Sequence, residues 1–283
     1  MAVATTGALA GRTLFVTGAT RGIGLAIAVR AARDGANVAF IGKTDAPHPR
    51  LPGTIHDAAR AIEAAGGKAL AIACDLRDEA AVEDAVAATV ARYGGLDVLV
   101  NNASAISLTG TLETPAKRFD LMMGVNARGT YVASRACLPH LIAAAKAGRN
   151  PHVLTLAPPP TLDARWYRGH VAYTLAKVGM SLVTLGMAEE FRDRGVAFNA
   201  LWPRTVIATA AVAMIPGAQS AQQHMRTPEI VADAAHAIVT RDARAFTGRF
   251  LIDEDVLREN GVADFDRYAV MPGQPLLPDL FLD

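Results

Sequence analysis

The sequence predicts an α/β fold, a single Rossmann-type doubly wound parallel sheet of about seven strands with helices on both faces. Short β-rich runs alternate with longer helical patterns along the chain. A glycine-rich turn separates the first such run from the first helix, and nothing marks an internal repeat or a domain boundary. Of the 283 residues, 51% are hydrophobic and 19% charged, which suits one large buried core and argues against wholesale disorder. Residues 1–283 are therefore read as one domain.

The elements follow in order. Thr13 to Thr17 (TLFVT) is the first strand, followed by glycines and a helix through about Asp34 that Gly35 stops. Asn37 to Gly42 is the second strand. Thr44 to Pro52 carries prolines and reads as a loop, before a helix over Thr54 to Ala65. Ala69 to Cys74 is the third strand, Glu79 to Tyr93 a helix, and Leu96 to Asn101 the fourth strand. One long helical region, Pro115 to Ala147, precedes the fifth strand, His152 to Leu156. A helix over Ala172 to Asp193 leads to the sixth strand, Val196 to Leu201, and Arg249 to Ile252 is the seventh. From Glu254 the pattern is less regular, and the run PGQPLLP suggests an extended C-terminal arm.

Charge excludes several classes of function. Lys and Arg total 28 against 27 Asp and Glu, a net charge of +1. This leaves no electrostatic footprint for nucleic acid or an anionic membrane. The two cysteines, Cys74 and Cys137, match no metal-ligand spacing and form no disulfide framework, so no metal is expected. Met1 to Ala10 lacks the basic and apolar regions of a signal peptide, and no window approaches the ~18 consecutive apolar residues of a membrane helix. A soluble protein in a reducing, cytoplasmic compartment is expected.

Thr17-Gly18-Ala19-Thr20-Arg21-Gly22-Ile23-Gly24 joins the first strand to the first helix. Glycines let the backbone approach a pyrophosphate, and the helix N-terminus turns free N–H groups toward the anion. Gly18, Thr20, Arg21, Gly22, Ile23 and Gly24 are thus candidate dinucleotide contacts. NAD-binding chains usually end the second strand on a carboxylate that accepts from the ribose 2′-hydroxyl. Here the strand ends Gly42-Lys43-Thr44, with no carboxylate before Asp45. Lys43 and Arg21 would instead neutralise a 2′-phosphate, which predicts NADP(H); the alternative is that both are merely solvated. Further along, Tyr173 and Lys177 lie four apart, on one helix face. A cation there favours the phenolate and brings Tyr173 toward the range of a working proton donor or acceptor.

With these motifs the chain resembles the short-chain dehydrogenase/reductase family over nearly its whole length. The matches are the glycine loop, Asp75 after the third strand, Asn101-Asn102-Ala103 after the fourth, Asn126, and the Tyr173/Lys177 pair. The resemblance implies a dehydrogenase domain that transfers hydride between a nicotinamide and a small-molecule carbonyl or secondary alcohol. It implies that Asp75 and Leu76 hold the adenine, that Asn101, Asn102 and Ala103 lie along the ribose side, and that backbone from Pro203 to Val206 meets the carboxamide. Lys177 would bind the nicotinamide ribose and support Tyr173, and Asn126 would hold a water of the proton relay. Asp75 and Asn126 could otherwise be ordinary caps or turn residues. Homo-dimers or tetramers are expected by the same analogy.

Two departures qualify the resemblance. The family places a serine near the end of the fifth strand to hydrogen-bond the substrate oxygen, and in that register this chain has Ala157. Losing such a bond can cost about 2–4 kcal/mol of transition-state stabilisation. The expectation therefore divides between an oxidoreductase with altered substrate positioning and an NADP(H)-binding protein with little turnover. Thr155 and Thr161 are the nearby hydroxyls, and Trp166 and Tyr167 either line the cleft or pack. The family also has Pro-Gly where this chain has Pro203-Arg204, which puts a cation near cofactor or substrate, or leaves it exposed.

Overall fold

The computed structural model describes residues 7–47, 52–215 and 217–282, so part of the proline-bearing loop read at Thr44 to Pro52 lies outside it. Seven parallel strands form one sheet in the order β3-β2-β1-β4-β5-β6-β7. They are β1 (Thr13–Thr17), β2 (Asn37–Gly42), β3 (Lys68–Ala73), β4 (Val98–Asn101), β5 (His152–Leu156), β6 (Ala197–Trp202) and β7 (Phe250–Ile252). The order reverses between β1 and β4, the place where an open α/β sheet forms its ligand crevice. Alternation along each strand feeds two cores. Leu14 and Val16 pack with α1 (Gly22–Ala32), α2 (Ile55–Ala64) and α8 (Glu229–Val239). Phe15 faces the opposite layer, with α3 (Glu79–Tyr93), α5 (Gly129–Lys146) and α6 (Val171–Glu190).

Local chemistry sets several boundaries. Thr54 caps α2 through a reciprocal box with Asp57, and Asp78 caps α3 by accepting from the Ala81 N–H. The helical region read as continuous from Pro115 is interrupted. α4 (Ala116–Met122) passes into a π-helical turn, Met123–Arg128, before α5 begins. Widened turns of this kind recur at functional sites, and this one carries Asn126. By length and hydropathy α6 could cross a membrane, but most of it is buried within the fold.

The tail is not the extended arm that its prolines suggest. It starts as a helix, α9 (Asp253–Glu259), with three acidic residues in the first turn and Arg258 in the last, matching the helix dipole. It then folds back over the ends of β5 and β6. Val206 donates to the Leu277 carbonyl (3.0 Å), Thr205 bridges Pro278, and Phe281 is buried.

Candidate active site

The glycine loop is built to admit little but backbone. Gly18 has φ +72°, and a Cβ there would lie 2.9 Å from the Ala103 Cα; at Gly24 it would lie 2.4 Å from the Asn102 amide nitrogen. Asn102 clasps the loop by donating through Nδ2 to the carbonyls of Thr17 and Gly18, each at 3.0 Å. The backbone N–H groups of Asn102 and Ala103 donate to Thr17 Oγ1. Thus β1 and β4 hold a preformed turn at the mouth of α1. Arg21 is the N-cap residue of α1, and no side chain caps that end. The first N–H groups of α1 therefore lack an intrahelical partner and suit a pyrophosphate. Gly22, at φ +58°, faces Thr209, while Thr20 is buried and Ile23 half-buried beside the loop.

Charge is concentrated beyond the end of β2. Lys43 pairs with Asp75 (3.0 Å), and Arg77 grips the same carboxylate through Nε and Nη2. The Arg77 guanidinium is the main reason that the Asp75 carboxyl is held far below its usual range. Arg21 donates to the Pro52 and Gly53 carbonyls and to Thr44 Oγ1, all neutral acceptors. Two cations thus share the Asp75 carboxylate and Arg21 rests on neutral oxygens, while Asp45 bonds His56. Arg77 was not foreseen from the sequence; its signal was a cation two residues past Asp75. Two of the expected contacts have buried side chains. Leu76 is buried, with its side chain against Gly129, and Asn101 is buried, with its Nδ2 donating to Ser134 on α5 (3.0 Å). Asn101 Oδ1 has no hydrogen-bond partner among the described residues.

Tyr173 and Lys177 lie one turn apart on α6, 6% and 3% exposed. Lys177 Nζ donates to the Leu156 carbonyl at the end of β5 (2.6 Å) and stands 4.9 Å from the centroid of the Trp202 ring. Burial pushes the ammonium down to about 7, against the raising effect of the Asp279 carboxylate. Burial likewise pushes Asp279 up to about 7, opposed by the Leu280 N–H and by Lys177. The tyrosine does not follow the sequence expectation: desolvation, reinforced by Asp279, raises its pKa instead of lowering it. Asn126 is buried in the π-helical turn. Its Oδ1 accepts from the Ala105 N–H (2.7 Å) and its Nδ2 donates to the Ala105 carbonyl (3.1 Å). The side chain thus ties the π-helical turn to the loop after β4.

A protein-family model described as short chain dehydrogenase matches residues 12–219. The chain belongs to the short-chain dehydrogenase/reductase family. It is 58% identical over 98% of its length to hydroxysteroid dehydrogenase-like protein 2 of Danio rerio and 54% identical to the Homo sapiens protein of that name, spanning 65% of each. A crystal structure from Xanthomonas campestris, provisionally named a dehydrogenase, is 62% identical, with a TM-score of 0.93 over 97% of this chain and 99% of that one. More distant relatives include a Mycobacterium paratuberculosis short chain dehydrogenase bound to NAD (25% identical, TM-score 0.71) and a metagenomic short-chain oxidoreductase in complex with NADP (29%, 0.68).

Against this family pattern the departures take definite positions. Ala157 is 1% exposed and packs with Met180, Ala200 and Phe250, so its methyl group points into the core. Pro158, which follows it, carries no hydroxyl either. The neighbouring hydroxyls are engaged: Thr155 bonds Thr184 (2.9 Å), and Thr161 Oγ1 accepts from the Asp163 N–H. Trp166 stacks near Phe281, while the Tyr167 hydroxyl donates to the Thr161 carbonyl. Arg204 turns to Asp255 (2.6 Å), which balances its charge away from the crevice.

The backbone from Pro203 to Val206 is largely taken. Arg204 N donates to Asp253 Oδ1, and Val206 donates to Leu277 and accepts from the Arg226 N–H. Thr205 was not foreseen as a contact: its Oγ1 is buried without a hydrogen-bond partner among the described residues. That orphaned hydroxyl and the uncapped α1 terminus both fit a nicotinamide dinucleotide.

Proposed function

We propose that this chain is an NADP(H)-dependent oxidoreductase acting on a small-molecule carbonyl or secondary alcohol. The observation that carries the reading is the buried Tyr173/Lys177 pair, set at the end of the same crevice as an uncapped, glycine-lined helix terminus. When bound, the dinucleotide supplies or accepts the hydride at its nicotinamide. The N–H groups at the start of α1 would hold its pyrophosphate, and Thr205 Oγ1 its carboxamide. Arg21, Lys43 and Arg77 outnumber the one carboxylate near the β2 end, which favours a 2′-phosphate over a bare ribose hydroxyl.

Tyr173 gives its proton to the substrate oxygen in reduction and takes it back in oxidation. Lys177, whose bonds to the Leu156 carbonyl and Met180 Sδ leave a third N–H, supports the phenolate and the ribose. Stopped assays with NADPH and NADH over a panel of ketones and secondary alcohols test this, with Tyr173→Phe as the control. Turnover that survives the substitution, or equal affinity for the two dinucleotides, would refute the corresponding half of the proposal.

One observation favours a second reading. Neither Ala157 nor Pro158 offers a hydroxyl to the substrate oxygen, so a nucleotide-binding protein with little turnover is the competing function. Dinucleotide binding without turnover across the panel would select it. Self-association as a dimer or tetramer is also proposed, because Leu175, Leu182 and Leu185 of α6 and Tyr131 of α5 are exposed. Sedimentation of a monomer alone would remove that part.

A further inference from the structure

The C-terminal segment closes over the catalytic tyrosine. Phe281 is 5% exposed and stacks on Tyr173, with ring centroids 6.4 Å apart. Trp202 and Trp166 flank it at 5.7 and 5.9 Å. The chain on its N-terminal side is pinned: Trp202 Nε1 donates to the Leu280 carbonyl (2.8 Å) and the Asp279 N–H to the Arg204 carbonyl (3.1 Å). Phe281 is the one non-glycine among the described residues with positive φ, at +72°. A bulky residue enters that region only where its surroundings over-determine it. Here three aromatic side chains and a backbone bridge do so. None of the residues packed in this cluster belongs to the glycine loop, so the ring stands apart from the pyrophosphate end of the crevice.

Resting on the oxidoreductase reading above, we infer that Phe281 is the substrate-side wall of the catalytic pocket and sets the size of the carbon skeleton that reaches Tyr173. With the ring in place the tyrosine is almost enclosed, so a substrate must fit beside Phe281 or take part of its space. The wall is aromatic and uncharged. The class of substrate that fits is an uncharged ketone or alcohol with a compact apolar skeleton.

The test compares the wild type, Phe281→Ala and Phe281→Trp on acetone, cyclohexanone and 2-decalone. Both kcat/KM and affinity are measured, the latter by quenching of Trp166 and Trp202 fluorescence in the presence of dinucleotide. Phe281→Ala should raise the decalone-to-acetone ratio of kcat/KM by about tenfold or more. Phe281→Trp, which fills the pocket and leaves no cavity, should lower the affinity for decalone and spare acetone. Ketones that turn over with ratios unmoved by either variant overturn the wall and leave the enzyme. Ketones that bind with a Phe281-dependent size preference but never turn over support the wall and overturn the enzyme. No ketone binding in any form overturns both. Should Phe281→Ala fail to fold, Phe281→Trp alone decides.

Discussion

The two ends of the crevice handle charge in opposite ways. Beside β2 and β3, Arg21, Lys43, Asp75 and Arg77 lie at or near the surface, paired with one another or with backbone oxygens. Beside β5 and β6, Lys177 and Asp253 are buried and Asp279 is largely enclosed. Burial pushes Lys177 down to about 7, Asp253 up to about 6 and Asp279 up to about 7. The first end presents cations at or near the surface, where under the proposed reading they would meet an anion. The second end draws its chemistry from desolvation, which places groups near neutrality and makes their state depend on one another.

Substitutions at the two ends should therefore fail differently. The largest effect is expected at the buried end: Tyr173→Phe should lower kcat by about 100-fold or more, with the dinucleotide Kd within a few-fold of wild type. Steady-state kinetics with a parallel binding titration checks it, and equal losses in both would erase the contrast. At the solvated end, Arg21→Ala combined with Lys43→Ala should cost about tenfold in NADPH affinity relative to NADH. The wild-type preference should shrink as salt is added, as exposed charges require.

A subtler effect concerns pH. Lys177 is protonated below about 7 and then supports the phenolate, so activity falls as pH rises through that value. The Asp279 carboxylate keeps this lysine protonated to higher pH than burial alone would allow. Asp279→Asn should thus shift the alkaline limb of kcat/KM downward by about half a unit to one unit, with Asp253 still facing position 279. A limb that stays in place would show that Asp279 does not act on Lys177. The smallest effect is expected for Ala157→Ser. Because the methyl group is packed against Met180 and Ala200, turnover should change by less than about threefold, while thermal unfolding registers a loss of about 1–2 kcal/mol for the buried hydroxyl. A large gain in turnover would instead mean that position 157 reaches the substrate.

The same contrast explains what could be read from the sequence. The glycine loop, its helix and the Tyr173/Lys177 spacing are local signals, legible because their chemistry lies within one turn or one helix face. Both faces of the sheet followed from alternation of strands and helices. What escaped was tertiary. The sequence does not show that Asn126 bonds Ala105 or that Asn101 Nδ2 bonds Ser134, because both partners are brought in by the fold. The tail was misread because prolines outweighed the run Asp253-Glu254-Asp255, an acidic start that marks a helix N-terminus. Phe281 carries no sequence signal: its role comes from rings on elements far away along the chain.

Where the polypeptide leaves the globule also has a practical side. Phe281 lies beside Tyr173, so whatever is joined after residue 282 emerges at the rim of the reaction chamber. A purification tag or fused partner attached there would tug on the ring that covers the hydroxyl and could masquerade as a kinetic effect, whereas the opposite terminus leads into β1 on the far side of the strand-order reversal.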